Sequence, residues 1–223
     1  MSVTMENPLI PMIAVTGTPS CDELRQTLEK WHSVGVVQFM IYARSGTGFD
    51  YLSSAWFSAC KSMCKAAEEL GYNAVWIYDE YNFPSGNCKY RVIQDHPEFR
   101  LQALCVVKSG GEYRFELRQS PVMSDLLNPQ AVERFLSLTH QKYEQELGEY
   151  FGTLVKGFFT DEPDIGRFGQ SVAGTECHVT WYDTLEEEYQ EQTGGNLRQD
   201  MLRGIATGSR NRMERNAIAS SGF

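Results

Sequence analysis

The apolar run Val36–Ala43 shows little alternation of apolar and polar residues and, with the buried run Ala74–Tyr78 and a fourth strand at Leu154–Thr160, constrains the fold more than any other feature. A strand with one wet face alternates with a period of two, whereas a strand covered on both faces does not. Strands of the second kind belong to parallel sheets, whose connections are helices. The intervening segments carry helix signals. Ser20-Cys-Asp-Glu23 is a capping box, in which the Ser and Glu side chains satisfy the first free N–H groups of a helix, and Leu24, Leu28 and Trp31 follow at helical spacing. Gly35 is placed to end that helix in a left-handed cap. Ser53 can cap a second helix carrying Trp56, Phe57, Cys60, Cys64 and Ala67, with Gly71 to close it. Pro8–Val15 supplies a strand ahead of the first helix.

The rhythm breaks once and then resumes. Leu101–Val107 and Tyr113–Leu117, joined across Lys108-Ser-Gly-Gly111, read as a β-hairpin inserted in the third crossover. Asn128-Pro129 opens one long helix bearing Val132, Phe135, Leu138, Tyr143, Leu147 and Tyr150, which leads to the fourth strand. A Gly-containing loop at 165–174 and an acidic helix over Trp181–Gln192 come next. Residues 196–223 hold five Arg against one Asp and one Glu, with sparse apolar residues. They are expected to form a basic, poorly ordered tail, with a short helix around Met201–Ile205 as the alternative. The expected organisation is α/β: about four βα units over 1–195, with a hairpin insertion at about 101–118, then the tail.

Charge narrows the partners. With 20 Lys+Arg against 29 Asp+Glu the net charge is −9, which disfavours nucleic acid and anionic membrane surfaces. No apolar run is long enough for a membrane span and Met1–Val15 lacks the pattern of a secretory signal, so the expected location is the cytoplasm. The six cysteines, Cys21, Cys60, Cys64, Cys88, Cys105 and Cys177, form no CxxC pair and are read as reduced thiols, mostly core packing. No zinc spacing, GxGxxG, Walker or nucleophile-elbow pattern occurs, and His32, His96, His140 and His178 are scattered.

The unusual residues fall at strand ends, the face where βα loops vary without disturbing the core. Strand two ends in Tyr42-Ala-Arg44, strand three in Tyr78-Asp79-Glu80-Tyr-Asn82, and strand four in Thr160-Asp161-Glu162-Pro163. Carboxylates accept hydrogen bonds from hydroxyls and aromatic faces stack on sugar rings, so a neutral polyhydroxylated ligand suits this set. Glycoside cleavage needs two carboxyl groups, about 5–5.5 Å apart for retention or about 6.5–9.5 Å for inversion, one of them able to protonate the leaving oxygen. Glu162 is the best candidate acid. Asp161 points to the opposite side of the strand unless the backbone leaves β geometry there. The plainer reading is that these acids cap helices or pair with Arg44.

Phe39-Met-Ile-Tyr-Ala-Arg-Ser-Gly46, Tyr51-Leu-Ser53, Trp76-Ile-Tyr-Asp-Glu-Tyr-Asn-Phe-Pro-Ser-Gly86 and Gly157-Phe-Phe-Thr-Asp-Glu-Pro163, in that order, resemble the barrel of glycoside hydrolase family 106-type α-L-rhamnosidases and their relatives. The resemblance implies a (β/α)8 barrel, of which this chain carries the first part, and implies Glu162 as general acid with Arg44, Asp79, Glu80 and Asn82 lining the sugar site beside Tyr42 and Asp161. It also implies that calcium can assist substrate binding, with no ligands assigned. A complete barrel takes roughly 200 residues or more, and the 60 residues after Pro163 cannot supply four further βα units. Two other expectations therefore stand beside a glycosidase: an inactive or carbohydrate-binding remnant, and an open α/β domain binding a small polar metabolite. Unpaired edges at strands one and four would favour a homodimer.

Overall fold

The computed structural model describes residues 7–208. In chain order the elements are β1 (Met12–Gly17), α1 (Cys21–His32), β2 (Gln38–Thr47), α2 (Ser54–Leu70), β3 (Ala74–Tyr81), the short α3 (Arg91–Gln94), β4 (Arg100–Ser109) and β5 (Glu112–Ser124). Then follow α4 (Pro129–Leu138), α5 (His140–Leu147), β6 (Val155–Phe159), β7 (Cys177–Trp181), α6 (Leu185–Thr193) and α7 (Leu197–Thr207). The chain divides into two compact units, one built from the residues up to Val92 with Glu133–Pro163, the other from Ile93–Val132 with the residues from Asp164 onward. The fold is mixed α/β, with a parallel sheet in the first unit and an antiparallel sheet in the second.

The parallel sheet has the order β1-β2-β3-β6, so each strand lies beside the next parallel strand in the chain. Its two faces differ. Ile13, Ile41, Ile77 and Phe158 stand opposite one another across the four strands. On this face Phe158 meets the α5 rings of His140 and Tyr143, with centroids 4.1 and 6.0 Å apart. The neighbouring row, Met12, Met40, Trp76 and Gly157, points the other way. Met12 is 44% exposed and Phe159, paired with Tyr78 in the same register, is 38% exposed.

The helices begin and end where their signals sit. Ser20 accepts from the Glu23 N–H while Glu23 reaches back to the Ser20 N–H, completing the capping box. Ser53 caps α2, and Gly71 closes it with φ 82°, a left-handed conformation that costs glycine little. Gly35 is left-handed two residues beyond the Ser33 cap of α1. The Trp56 indole N–H of α2 donates to the Tyr143 hydroxyl of α5 at 2.9 Å, which satisfies a buried donor between two helices.

The structure departs from the sequence reading in three ways. The hairpin is present, turning through Gly110 and Gly111 at φ 60° and 91°, between the paired Ser109 and Glu112. However, it is not a lone hairpin: β7 pairs antiparallel with β4, giving the order β5-β4-β7, and so Trp181 belongs to a strand rather than to the acidic helix. Second, residues 197–207 are a helix, the alternative expected around Met201–Ile205 but longer at both ends, and not a tail. Asn196 caps α7 by accepting from the Gln199 N–H, and Leu197 and Met201 are buried with Leu104, Val106, Val179, Leu185 and Tyr189. Four or five apolar positions on one face suffice once a sheet face is there to receive them. The remainder of the expected tail, 209–223, lies outside the described residues. Third, the single long helix after Asn128 is broken at Thr139, whose φ and ψ are −112° and −80° and whose hydroxyl donates to the Phe135 carbonyl at 2.7 Å. Among the described residues no helix is long and apolar enough to cross a membrane.

Candidate functional site

Parallel strands bring all their C-terminal ends to one side, so β2, β3 and β6 deliver the expected residues together. Tyr42 lies against Tyr78 with ring centroids 4.2 Å apart, and Tyr78 lies 5.8 Å from Phe159. The Tyr78 hydroxyl donates to Asp161 Oδ2 at 2.5 Å. Burial, then this bond, pushes the Tyr78 phenol well above its ordinary value. Arg44 is exposed, its guanidinium 5.8 Å from the centroid of Tyr42. Glu162 is exposed and left-handed, at φ 42°, and takes no hydrogen bond among the described residues. The backbone thus leaves β geometry at this point, and the strict alternation that would set Asp161 and Glu162 on opposite sides of a strand no longer applies.

Asp79 and Glu80 have a different role from the one expected of them. Asp79 is fully buried; Oδ1 accepts from the Ser85 hydroxyl at 2.5 Å and Oδ2 from the Thr160 hydroxyl at 2.7 Å. His140 Nε2 lies 3.8 Å from Oδ2, beyond hydrogen-bond length. Burial raises the Asp79 carboxyl above its ordinary value, against these donors and the nearby imidazole, and burial lowers His140. Glu80 is 1% exposed and accepts four main-chain N–H groups: Tyr81 and Lys89 at 2.8 Å on Oε1, Asn87 at 2.8 Å and Cys88 at 2.6 Å on Oε2. Cys88, Lys89 and Tyr90 are consecutive left-handed residues, a conformation that turns successive N–H groups inward to form an anion nest. Here the anion is the protein's own side chain. Burial pushes Glu80 up to about 7 although the four N–H groups pull it down. Neither carboxyl is open to a sugar.

Asn82, also left-handed at φ 65°, holds the other loop. Its Oδ1 accepts from the Ser45 N–H at 3.1 Å and its Nδ2 donates to the Ser45 hydroxyl at 2.7 Å, so the amide fixes the chain leaving β2. Ser85 joins the two remaining ends: its N–H donates to the Asp161 carbonyl and its hydroxyl accepts from the Asp161 N–H, both at 2.9 Å. Of the seven expected site residues, Tyr42, Arg44, Asn82, Asp161 and Glu162 reach the surface or its margin, Asn82 with its amide engaged by Ser45, whereas Asp79 and Glu80 organise the loops beneath. Ser85, Thr160 and His140 were not anticipated. Ser85 stands inside a quoted motif, but His140 comes from α5 and no local pattern ties it to Asp79.

The residues present do not fit calcium. That ion takes six to eight oxygens, while the oxygens of Asp79 and Glu80 are occupied, and no group of three or more His, Cys, Asp or Glu among the described residues is arranged to hold a metal. The cysteines are all free, with Cys60, Cys64, Cys88 and Cys105 buried. Burial pushes Cys64 and Cys88 up to about 12, the behaviour of packing thiols and not of nucleophiles. Searches against family models, curated proteins and solved structures give no match to this chain.

Proposed function

We propose that the parallel unit is half of a (β/α)8 barrel of glycosidase type, and that its strand ends bind a terminal sugar and present Glu162 as the general acid toward an O-glycosidic bond. The observation that carries this reading is the arrangement around Asp161. Tyr78 and Ser85 fix Asp161 on both its side chain and its main chain, beside the half-buried Tyr42 and the exposed Phe159, while the next residue, Glu162, is left free. A fixed carboxylate accepts sugar hydroxyls, and a free carboxyl next to it can give its proton to the leaving oxygen. The sequential order of four parallel strands supports the barrel half.

Hydrolysis requires a second carboxylate, and Asp79 and Glu80 are sealed within the loops. This favours binding without turnover for the isolated chain. A second copy joined edge to edge would bring its own Glu162 to the same barrel end, because every strand runs the same way. The test is a panel of aryl glycosides led by an aryl α-L-rhamnoside, assayed on the wild type and on Glu162→Gln, with sugar binding measured on both. Turnover abolished in the variant while binding persists supports the acid assignment. Binding without turnover in both supports the binding reading, and the absence of binding and turnover in folded protein overturns the carbohydrate site.

A further inference from the structure

The second unit contains a cavity of about 640 Å³ whose walls include Glu98, Gln102, Asp125, Trp181, Tyr182 and Asp183. It lies at one end of the antiparallel sheet, where Gln102 of β4 stands opposite Trp181 of β7. Its chemistry is lopsided. Three carboxylates and two aromatic rings line it, and no Lys, Arg or His is among its lining residues. Asp125 is only 6% exposed. Its Oδ1 accepts from the Leu127 N–H at 3.0 Å and the Asn128 N–H also reaches the carboxylate, but it forms no ion pair among the described residues. These donors are neutral, so the charge of this buried carboxylate has no counter-ion, the partner a buried charge ordinarily has.

We infer that this cavity binds an organic cation, a protonated or quaternary amine whose charge meets Asp125 and Asp183 and whose apolar body lies against Trp181 and Tyr182. Aromatic faces attract ammonium groups, the more so when water is excluded. Burial, and then the charge of Asp183, raises the Asp125 carboxyl, so the two acids repel across the space that a cation would fill. A neutral polyol would leave that repulsion in place. A bare metal ion matches neither the volume nor the ligand set. The Tyr182 hydroxyl is already engaged, donating to Glu188 at 3.0 Å, which leaves its ring as the contacting surface and places further negative charge behind it.

The experiment is titration of the full chain with benzylammonium, spermidine and tetramethylammonium, followed by calorimetry and tryptophan fluorescence, with benzyl alcohol as the neutral counterpart of the first. The expected result is saturable binding of at least one amine, benzylammonium at least tenfold tighter than benzyl alcohol, weakened by added salt. Asp183→Asn is an exposed, conservative change, and Asp125→Asn keeps an acceptor for the Leu127 N–H. Each should weaken amine binding at least tenfold, with urea unfolding showing both variants folded. Equal binding of benzyl alcohol, undiminished amine binding in Asp183→Asn, or no saturable binding of any amine overturns the proposal. So does binding of a neutral methyl glycoside in place of the amines.

Discussion

The Tyr78 hydroxyl and the Asp161 carboxylate, from adjacent parallel strands, meet at 2.5 Å, at the short end of the range for a charge-assisted O–H···O bond. Tyr78 is 1% exposed and its ring is packed at a tilt against Tyr42, so the donor cannot turn away. Asp161 is held from the other side by Ser85, through both its N–H and its carbonyl. The end of β6 is therefore a braced point, and Glu162 takes its direction from it.

Tyr78→Phe removes the brace and leaves the ring. Loss of one hydrogen bond to a carboxylate should lower stability by about 1.5 kcal/mol, read from urea unfolding, and should weaken sugar binding more than it weakens folding. A variant as stable as the wild type with undiminished binding would show that Asp161 needs no positioning.

Glu80 gives a pH dependence with a defined sign. Its folded value, about 7, stands above its ordinary 4.5 because it is buried. The folded state thus holds the proton more tightly than the unfolded one, so the favourable term is full below about pH 4.5 and is lost as pH rises through about 7. The difference corresponds to about 3 kcal/mol. Asp79 has the same sign and His140 the opposite, since burial lowers the latter. In Glu80→Gln the amide nitrogen must face two N–H groups that now face an oxygen, so the variant should be about 2–3 kcal/mol less stable at pH 5. It should also lack the decline, so its deficit relative to wild type should shrink between pH 5 and pH 8. A constant deficit would mean that Glu80 does not titrate in this range.

What was legible in the sequence was whatever is fixed within a few residues. The Ser20 box, the Ser53 cap, Gly71 and the Gly110-Gly111 turn all act locally, and each appears where its residues stand. The covered segments of β2 and β3 were legible because burial on both faces erases alternation. What was hidden depends on distant partners. Cys177–Trp181 is too short to read as a strand until β4 pairs with it, and α7 has a sparse apolar face that means little until Val106 and Val179 receive it. Glu80 was misread for a related reason. Its fate is set by three left-handed residues, Cys88, Lys89 and Tyr90, none of them glycine, so no residue type announced the nest.

The helical reading of 197–207 can be checked by one truncation. Met201 is fully buried in the cluster around Val179 and Leu185. Met201→Ala should cost about 2–4 kcal/mol, the usual range for opening a cavity in a core, whereas Arg203→Ala on the same helix, whose side chain is 71% exposed, should cost much less. Equal and negligible effects of the two changes would return the segment to the status of a tail.

The open edges of the parallel sheet lead to the last prediction. Among the described residues β1 pairs only with β2 and β6 pairs in the sheet only with β3, so each leaves one row of backbone N–H and C=O groups without a ladder. Beside β1 a groove of about 450 Å³ runs along Met12, Ala14, Pro19, Leu24 and Trp31, largely apolar and flanking the unpaired edge. Two such half-sheets can complete one another head to tail, each β1 pairing with the other copy's β6, and a two-fold arrangement closes after eight strands without leaving an edge. Sedimentation at tens of micromolar should therefore show a dimer that dissociates on dilution. Met12→Lys places a charge at an exposed position of β1, the device by which natural edge strands resist pairing, and should raise the dissociation constant at least tenfold without unfolding the monomer. If glycoside turnover is found, it should fall with dilution in step with the dimer and be lost in Met12→Lys. A wild-type chain that stays monomeric at every concentration would show that the edges are protected in another way, and would remove the second copy as a source of the missing carboxylate.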